Sequence, residues 1–233
     1  MEFNFSFKEK NYNGDVKVTD FEGAIFDLDG TLLDSMDVWE KIDIEFLSKR
    51  GLEVPDDYIN NICAFSFKEA AKYTINLFNL DESEEDIINE WNEMAIHEYS
   101  NNVKLRPYAK EYLFYLKECG IKLAVATGLP KNLYEPALKN NCVFELFDVF
   151  CSTDDGGRGK GYPDVYLRAL EKLNMSAEKC ISFEDVLQGI INAKEVGLAV
   201  YAMYDKYSLK YKEKIIKIAD GYLEDFKNAP IPY

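Results

Sequence analysis

Two carboxylates one residue apart close an otherwise apolar run, "AIFDLDGTLLDS", over residues 24–35. Burying an acid is costly unless a cation or a set of donors compensates it. Asp27 and Asp29 therefore mark either a capped turn or a place where charge is put to use. Three other stretches carry matching chemistry: Thr127 and Gly128 in "AVATGLP", Lys160 in the Gly-rich "DDGGRGKGYPD", and the pair Glu184 and Asp185 closing "CISFED". Carboxylates, a hydroxyl and an ammonium together suit phosphoryl transfer. Mg²⁺ takes oxygen ligands and keeps several waters, so two carboxylates and a backbone carbonyl are a natural holder. A phosphate beside it would take the hydroxyl, loop N–H groups and the lysine. A carboxylate can also attack phosphorus and form an aspartyl-phosphate.

These groups need a scaffold that delivers them to one rim. Strand-like apolar runs recur at 23–29, 121–127, 148–152, 180–185 and 198–203, with amphipathic helical patterns between them. Strands alternating with helices predict a doubly wound α/β fold, a parallel sheet covered on both faces. In such sheets ligands bind beyond the carboxyl ends of the strands, and all the groups named above fall there. "PYAKEYLFYLKECG" places Tyr108, Tyr112, Leu116 and Cys119 on one side of a helix, and "PDVYLRALEKLN" repeats Val165, Tyr166, Ala169, Leu170 and Leu173 at helical spacing. Helices alone fill the interval from Ser35 to about Lys104. One carries Trp39, Ile42 and Phe46; another opens with a Ser66/Glu69 capping box and lines up Phe67, Ala70, Thr74, Leu77 and Phe78; a third has an acidic first turn. That is too much helix for an ordinary crossover. It predicts a helical domain over 35–102 inserted into a core made of 1–34 and 103–233, with hinges near 33–35 and 102–106. Asp34 and Ser35 read as capping residues at the first hinge. Phe3, Phe5 and Phe7 alternate before "NYNGD", as an edge hairpin would.

Composition narrows the field. The 233 residues are 47% hydrophobic, enough for a sizeable core plus an accessory domain. No apolar run approaches the ~20 residues that span a bilayer, and the first residues lack the order of a secretory signal. Cys63, Cys119, Cys142, Cys151 and Cys180 are scattered without metal-ligand spacing, which predicts reduced, mostly core thiols in a cytoplasmic protein. A net charge of -15 argues against nucleic acid and anionic membranes as partners. An enzyme of anionic substrates with that charge must build a local positive site, and a bound divalent cation does so.

The order D-x-D-G-T, hydroxyl residue after a hydrophobic strand, lysine, then acidic pair resembles the haloacid dehalogenase superfamily. The helical insert is similar to that of its helical-cap subfamily, close to the β-phosphoglucomutase-like phosphatases. The resemblance spans about residues 22–205. It implies a Rossmann-like core with a cap, Mg²⁺ as cofactor, and a small phosphorylated metabolite such as a sugar phosphate as the partner. It further implies that Asp27 is the nucleophile and a metal ligand. Asp29 would be the general acid and base, reaching the metal through its backbone carbonyl. Thr127 and the Gly128 backbone would hold the phosphoryl group and Lys160 would neutralise it. Asp185 would complete the metal shell with Glu184 beside it.

Departures bear on substrate. The mutase branch carries a cap histidine where Trp39 stands here, and the one histidine, His97, lies in a polar helical stretch. Hydrolysis gains on the mutase alternative accordingly. The lysine motif continues Lys160-Gly161 rather than lysine-proline, and Val186 follows Asp185 where serine is usual. Trp39 reads equally as core or as a wall facing substrate, and Arg158 as a solvated loop residue. A phosphate-accepting receiver domain and a degenerate binding module are the non-enzymatic alternatives; the long insert and the intact motifs count against them.

Overall fold

A computed structural model of the chain describes residues 18–55, 58–62, 67–155 and 162–233. It divides into two compact units, Met1–Asp34 with Lys104–Tyr233 and Ser35–Val103. The first holds the strands: β1 (Val18–Thr19), β2 (Gly23–Phe26), β3 (Leu33–Asp34), β4 (Lys104–Leu105), β5 (Lys122–Thr127), β6 (Val149–Ser152), β7 (Cys180–Glu184), β8 (Ala199–Met203), β9 (Gly221–Leu223) and β10 (Ile231–Pro232). The helical unit holds α1 (Met36–Ser48), α2 (Tyr58–Ile62), α3 (Phe67–Phe78) and α4 (Glu84–Asn101). The core unit adds α5 (Ala109–Glu118), α6 (Lys131–Asn140), α7 (Asp164–Leu173), α8 (Leu187–Glu195) and α9 (Lys212–Ile218).

Six strands form one parallel sheet in the order β6-β5-β2-β7-β8-β9. β2 and β7 are buried at every residue, as central strands covered on both faces must be. On one face Phe26 stacks on Phe183 with centroids 4.8 Å apart, and Tyr112 of α5 and Phe226 close around them. On the other, Ile25 packs with Val165, Tyr166 and Ala169 of α7 and with Ile190 and Ala193 of α8. The chain runs from β2 to β5 and β6 on one side, then crosses back to β7, β8 and β9 on the other. β2 and β7 therefore flank the topological switch point, where open sheets bind ligands.

The expected strands are all present, and several short ones join them. β9 extends the sheet, β3 pairs antiparallel with β4 where the two linkers leave the core unit, and β1 pairs in parallel with β10. That last ribbon gives the C-terminal "NAPIPY" a place: Tyr112 Oη also donates to the Pro230 carbonyl at 2.6 Å. Other expectations need correction. Tyr108 and Cys119 do not share the buried side of α5, because the helix proper runs only between them. Tyr108 is an exposed N-cap residue at φ +64° and Cys119 an exposed C-cap. Cys142 is exposed too, so only Cys151 and Cys180 among the described cysteines are core thiols. Cys63, the Phe3/Phe5/Phe7 hairpin and the Ser66 cap lie outside the described residues.

The helical unit packs α1 and α3 against α4. Ile42, Phe46, Ile87, Trp91 and Ala95 are buried, and the Phe46 and Trp91 rings lie 5.4 Å apart. On α3 the buried stripe is Ala70, Ala71 and Thr74, which leaves Leu77 exposed. Ser35 occupies the N-cap of α1 without making the capping bond that was expected of it. Ser83 does make one: its Oγ accepts the Asp86 N–H while the Asp86 carboxylate accepts the Ser83 N–H, a reciprocal capping box. Val103 falls with this unit, its N–H bonded to the Glu98 carbonyl. No described helix is long and apolar enough to cross a membrane.

Candidate active site

The acidic motif begins where β2 ends. Pairing stops at Phe26, and the Asp27 N–H makes a last ladder bond to the Phe183 carbonyl at 3.1 Å. The chain then coils tightly. The N–H groups of Thr31, Leu32 and Leu33 all converge on the Leu28 carbonyl at 3.2, 2.9 and 2.8 Å, and Gly30 supplies the left-handed conformation, φ +73°, that the turn requires. Its result is a division between the two acids: Asp27 is fully buried, whereas Asp29 stays partly exposed. Thr31 is fully buried as well, and its Oγ1 donates to Asp185 Oδ1 at 3.0 Å, across 154 residues of sequence.

Asp185 belongs to the neighbouring strand end, with Glu184. Asp27, Glu184 and Asp185, all buried, each present a carboxylate oxygen, and these lie within 4.8 Å of one another. Asp29 is not a member of that group. Carboxylates crowded this closely and withdrawn from water repel unless a cation stands among them. An all-oxygen anionic donor set is what Mg²⁺ takes, so the residues present fit that ion. Glu184 is held in place: its Oε2 accepts from the Tyr166 hydroxyl at 2.6 Å and its Oε1 from the Val186 N–H at 3.1 Å. Burial, then the charges of Glu184 and Asp27, push the Tyr166 phenol well above its ordinary range, so it stays a proton donor.

On the other side of β2, Thr127 ends β5 fully buried, its Oγ1 accepting the Leu129 N–H at 3.1 Å, with Gly128 half-buried beside it. This loop is pinned to the adjacent strand end. Ser152 Oγ donates to the Leu129 carbonyl at 2.7 Å and Thr153 Oγ1 to that of Gly128 at 3.5 Å. Ser152 is fixed in turn by its N–H to Asp155 Oδ2 and by Arg168 Nη2 on its carbonyl, both 2.9 Å. The structure thus puts Asp27, Thr127, Gly128, Glu184 and Asp185 at the carboxyl ends of three adjacent strands, with Asp29 in the turn beyond the first. Lys160 and Arg158 lie outside the described residues. Thr31 and Tyr166 are the site residues that sequence reasoning missed. Thr31 stood within the quoted motif, and a tyrosine on a buried helical face calls for a partner to its hydroxyl.

A doubly wound sheet with buried acids at its switch point suits phosphoryl chemistry without fixing which protein class performs it. The model of the haloacid dehalogenase-like hydrolases matches residues 24–203, and the chain belongs to that family. It is 29% identical over 177 residues to the phosphorylated carbohydrates phosphatase of Thermotoga maritima, covering 76% of this chain and 82% of that protein. It is 26% identical over 177 residues to hexitol phosphatase B of Escherichia coli K12, covering 73% and 78%. CbbY from Rhodobacter sphaeroides, solved in complex with phosphate, has the same fold, with a TM-score of 0.75 at 24% identity over 89% of this chain and 95% of that one.

Proposed function

We propose that this chain is a Mg²⁺-dependent phosphatase that hydrolyses the phosphomonoester of a small phosphorylated carbohydrate through an aspartyl-phosphate on Asp27. The observation that carries this is the convergence of buried Asp27, Glu184 and Asp185, with Asp29 held outside the group and partly exposed. The names of two relatives, a phosphorylated carbohydrates phosphatase and a hexitol phosphatase, support the substrate class.

The carboxylates of Asp27, Glu184 and Asp185 and the Asp29 carbonyl would hold Mg²⁺, which when bound offsets the repulsion between carboxylate and phosphate. A carboxylate oxygen of Asp27 attacks phosphorus, the bond from phosphorus to the sugar oxygen breaks, and Asp29 gives its proton to that oxygen. Asp29, now ionised, takes a proton from water as the water oxygen attacks the same phosphorus. The bond to Asp27 breaks, and phosphate leaves. Thr127 Oγ1, the Gly128 N–H and Lys160 hold the phosphoryl oxygens throughout. The helical unit, by its resemblance to the cap of helical-cap members, is the candidate for substrate selection, with Trp39 as the residue to test.

The test is a panel of phosphorylated metabolites assayed for phosphate release with Mg²⁺ and with EDTA, using Asp27→Asn as the blank. Sugar or polyol phosphates should be turned over by the wild type alone, and only with metal. If no compound exceeds the blank, the proposal fails; isomerised sugar phosphate without free phosphate replaces hydrolysis by mutase chemistry.

A further inference from the structure

We infer that Tyr166 is a positioning residue whose hydroxyl, with the Val186 N–H, fixes the Glu184 carboxylate for a small divalent cation and so sets a preference for Mg²⁺ over Ca²⁺. This rests on the metal-dependent reading above. Tyr166 sits on α7 among Val165, Ala169, Leu170 and Leu173, a wholly apolar stripe on which phenylalanine would fill the same space. The one thing tyrosine adds is a hydroxyl, and that hydroxyl is spent on Glu184 Oε2 at 2.6 Å. The other carboxylate oxygen takes the Val186 N–H at the N-cap of α8. The carboxylate is also walled in from behind. A Cβ at Gly189 would lie 2.4 Å from Glu184 Cδ and 2.7 Å from each of its oxygens, so the group rests directly on the first turn of α8.

A carboxylate donated to at both oxygens and backed by a helix cannot easily rotate between one-oxygen and two-oxygen coordination. Ca²⁺ exploits that freedom, taking about 6–8 oxygens at about 2.3–2.6 Å, whereas Mg²⁺ asks for a compact octahedron at about 2.0–2.1 Å. Rigidity at Glu184 therefore penalises the larger ion. Without the phenol the carboxylate gains freedom; Mg²⁺ binding weakens and the discrimination narrows.

Calorimetric titration of the full chain with MgCl₂ and with CaCl₂ tests this, together with a thermal melt of each metal-free variant. Tyr166→Phe should bind Mg²⁺ about 10-fold more weakly, within the range for partners of metal ligands. Its Ca²⁺ affinity should change less, so the ratio of the two falls several-fold. Gly189→Ala displaces the same carboxylate and should lower the ratio with Tyr166 intact; it carries the test if Tyr166→Phe does not fold. A purely structural role would lower the melting temperature and leave the ratio alone, and a wild-type ratio in folded Tyr166→Phe overturns the inference. If the wild type shows no Mg²⁺ binding that Asp185→Asn abolishes, the metal-dependent function falls too. Metal binding and Asp27-dependent phosphate release with an unchanged ratio refute only the role of Tyr166.

Discussion

Thr31 holds Asp185 by one hydrogen bond, and in a buried acidic cluster that bond has consequences. A donor to a charged group contributes about 1.5–3 kcal/mol, and losing it leaves the carboxylate both less stable and less well aimed. Thr31→Val keeps the shape and removes the donor, so it should cost about 1.5–3 kcal/mol in urea unfolding with Mg²⁺ present and reduce phosphate release. Thr31→Ser keeps the hydroxyl and should retain most of the turnover. A valine variant as stable and active as wild type would show that the bond does nothing. Residues of this kind mark the limit of what the sequence discloses. Asp27, Glu184 and Asp185 are legible because a charge at the end of an apolar strand is anomalous on sight. Thr31 and Tyr166 are not, since a hydroxyl in a turn or on an apolar helix face shows no partner until the fold brings one from a distant strand end.

At the scale of elements, unbroken apolar runs made β2, β5, β6, β7 and β8 readable, because strands buried on both faces are apolar at nearly every position. The two-residue ribbons β1/β10 and β3/β4 and the three-residue β9 carry no period and were invisible. The helical unit offers the sharper experiments, because both tryptophans, Trp39 and Trp91, lie in it and fluorescence reports on it selectively. Arg50, just past α1, clamps α4 and its approach. Its Nε and Nη2 both bond the Glu82 carboxylate, Nη2 also reaches Glu90 at 2.7 Å, and its guanidinium lies 3.7 Å above the Phe46 ring. A bidentate, partly buried network is worth more than a lone surface pair. Arg50→Ala should destabilise the unit by about 1–2 kcal/mol by tryptophan-monitored unfolding, and an unchanged midpoint would contradict it. Asp43 on α1 acts in the opposite sense. Burial, and then the Glu40 charge, push its carboxyl up from 3.8 to about 7. The folded state therefore keeps a proton that the unfolded state gives up. Stability from this group is full below pH 3.8, falls as the pH rises towards about 7, and is flat above. Asp43→Asn should be more stable than wild type at pH 8 by about 1–3 kcal/mol and near parity at low pH. Equal stability of the two at both pH values would refute the burial argument.

The whole molecule carries a net charge of -15 and concentrates three buried acids at one point of its sheet. Self-repulsion of that size destabilises any compact state, and dissolved salt of any kind relieves part of it by screening. A divalent ion bound at the switch point must do something different: it stabilises by mass action, through a defined site present only in the folded chain. At free Mg²⁺ about 100-fold above its dissociation constant the gain is about 2.7 kcal/mol. The two effects separate in one experiment. Thermal melts in MgCl₂ and in NaCl of matched ionic strength should differ, with Mg²⁺ giving the larger rise and saturating. EDTA should erase the excess. Asp185→Asn should erase it too while keeping the NaCl response, because one charge in so acidic a chain hardly alters screening. If instead magnesium and sodium raise the melting temperature equally at matched ionic strength, the acids at β2 and β7 form no metal site, and the compensation for their burial lies elsewhere in the fold.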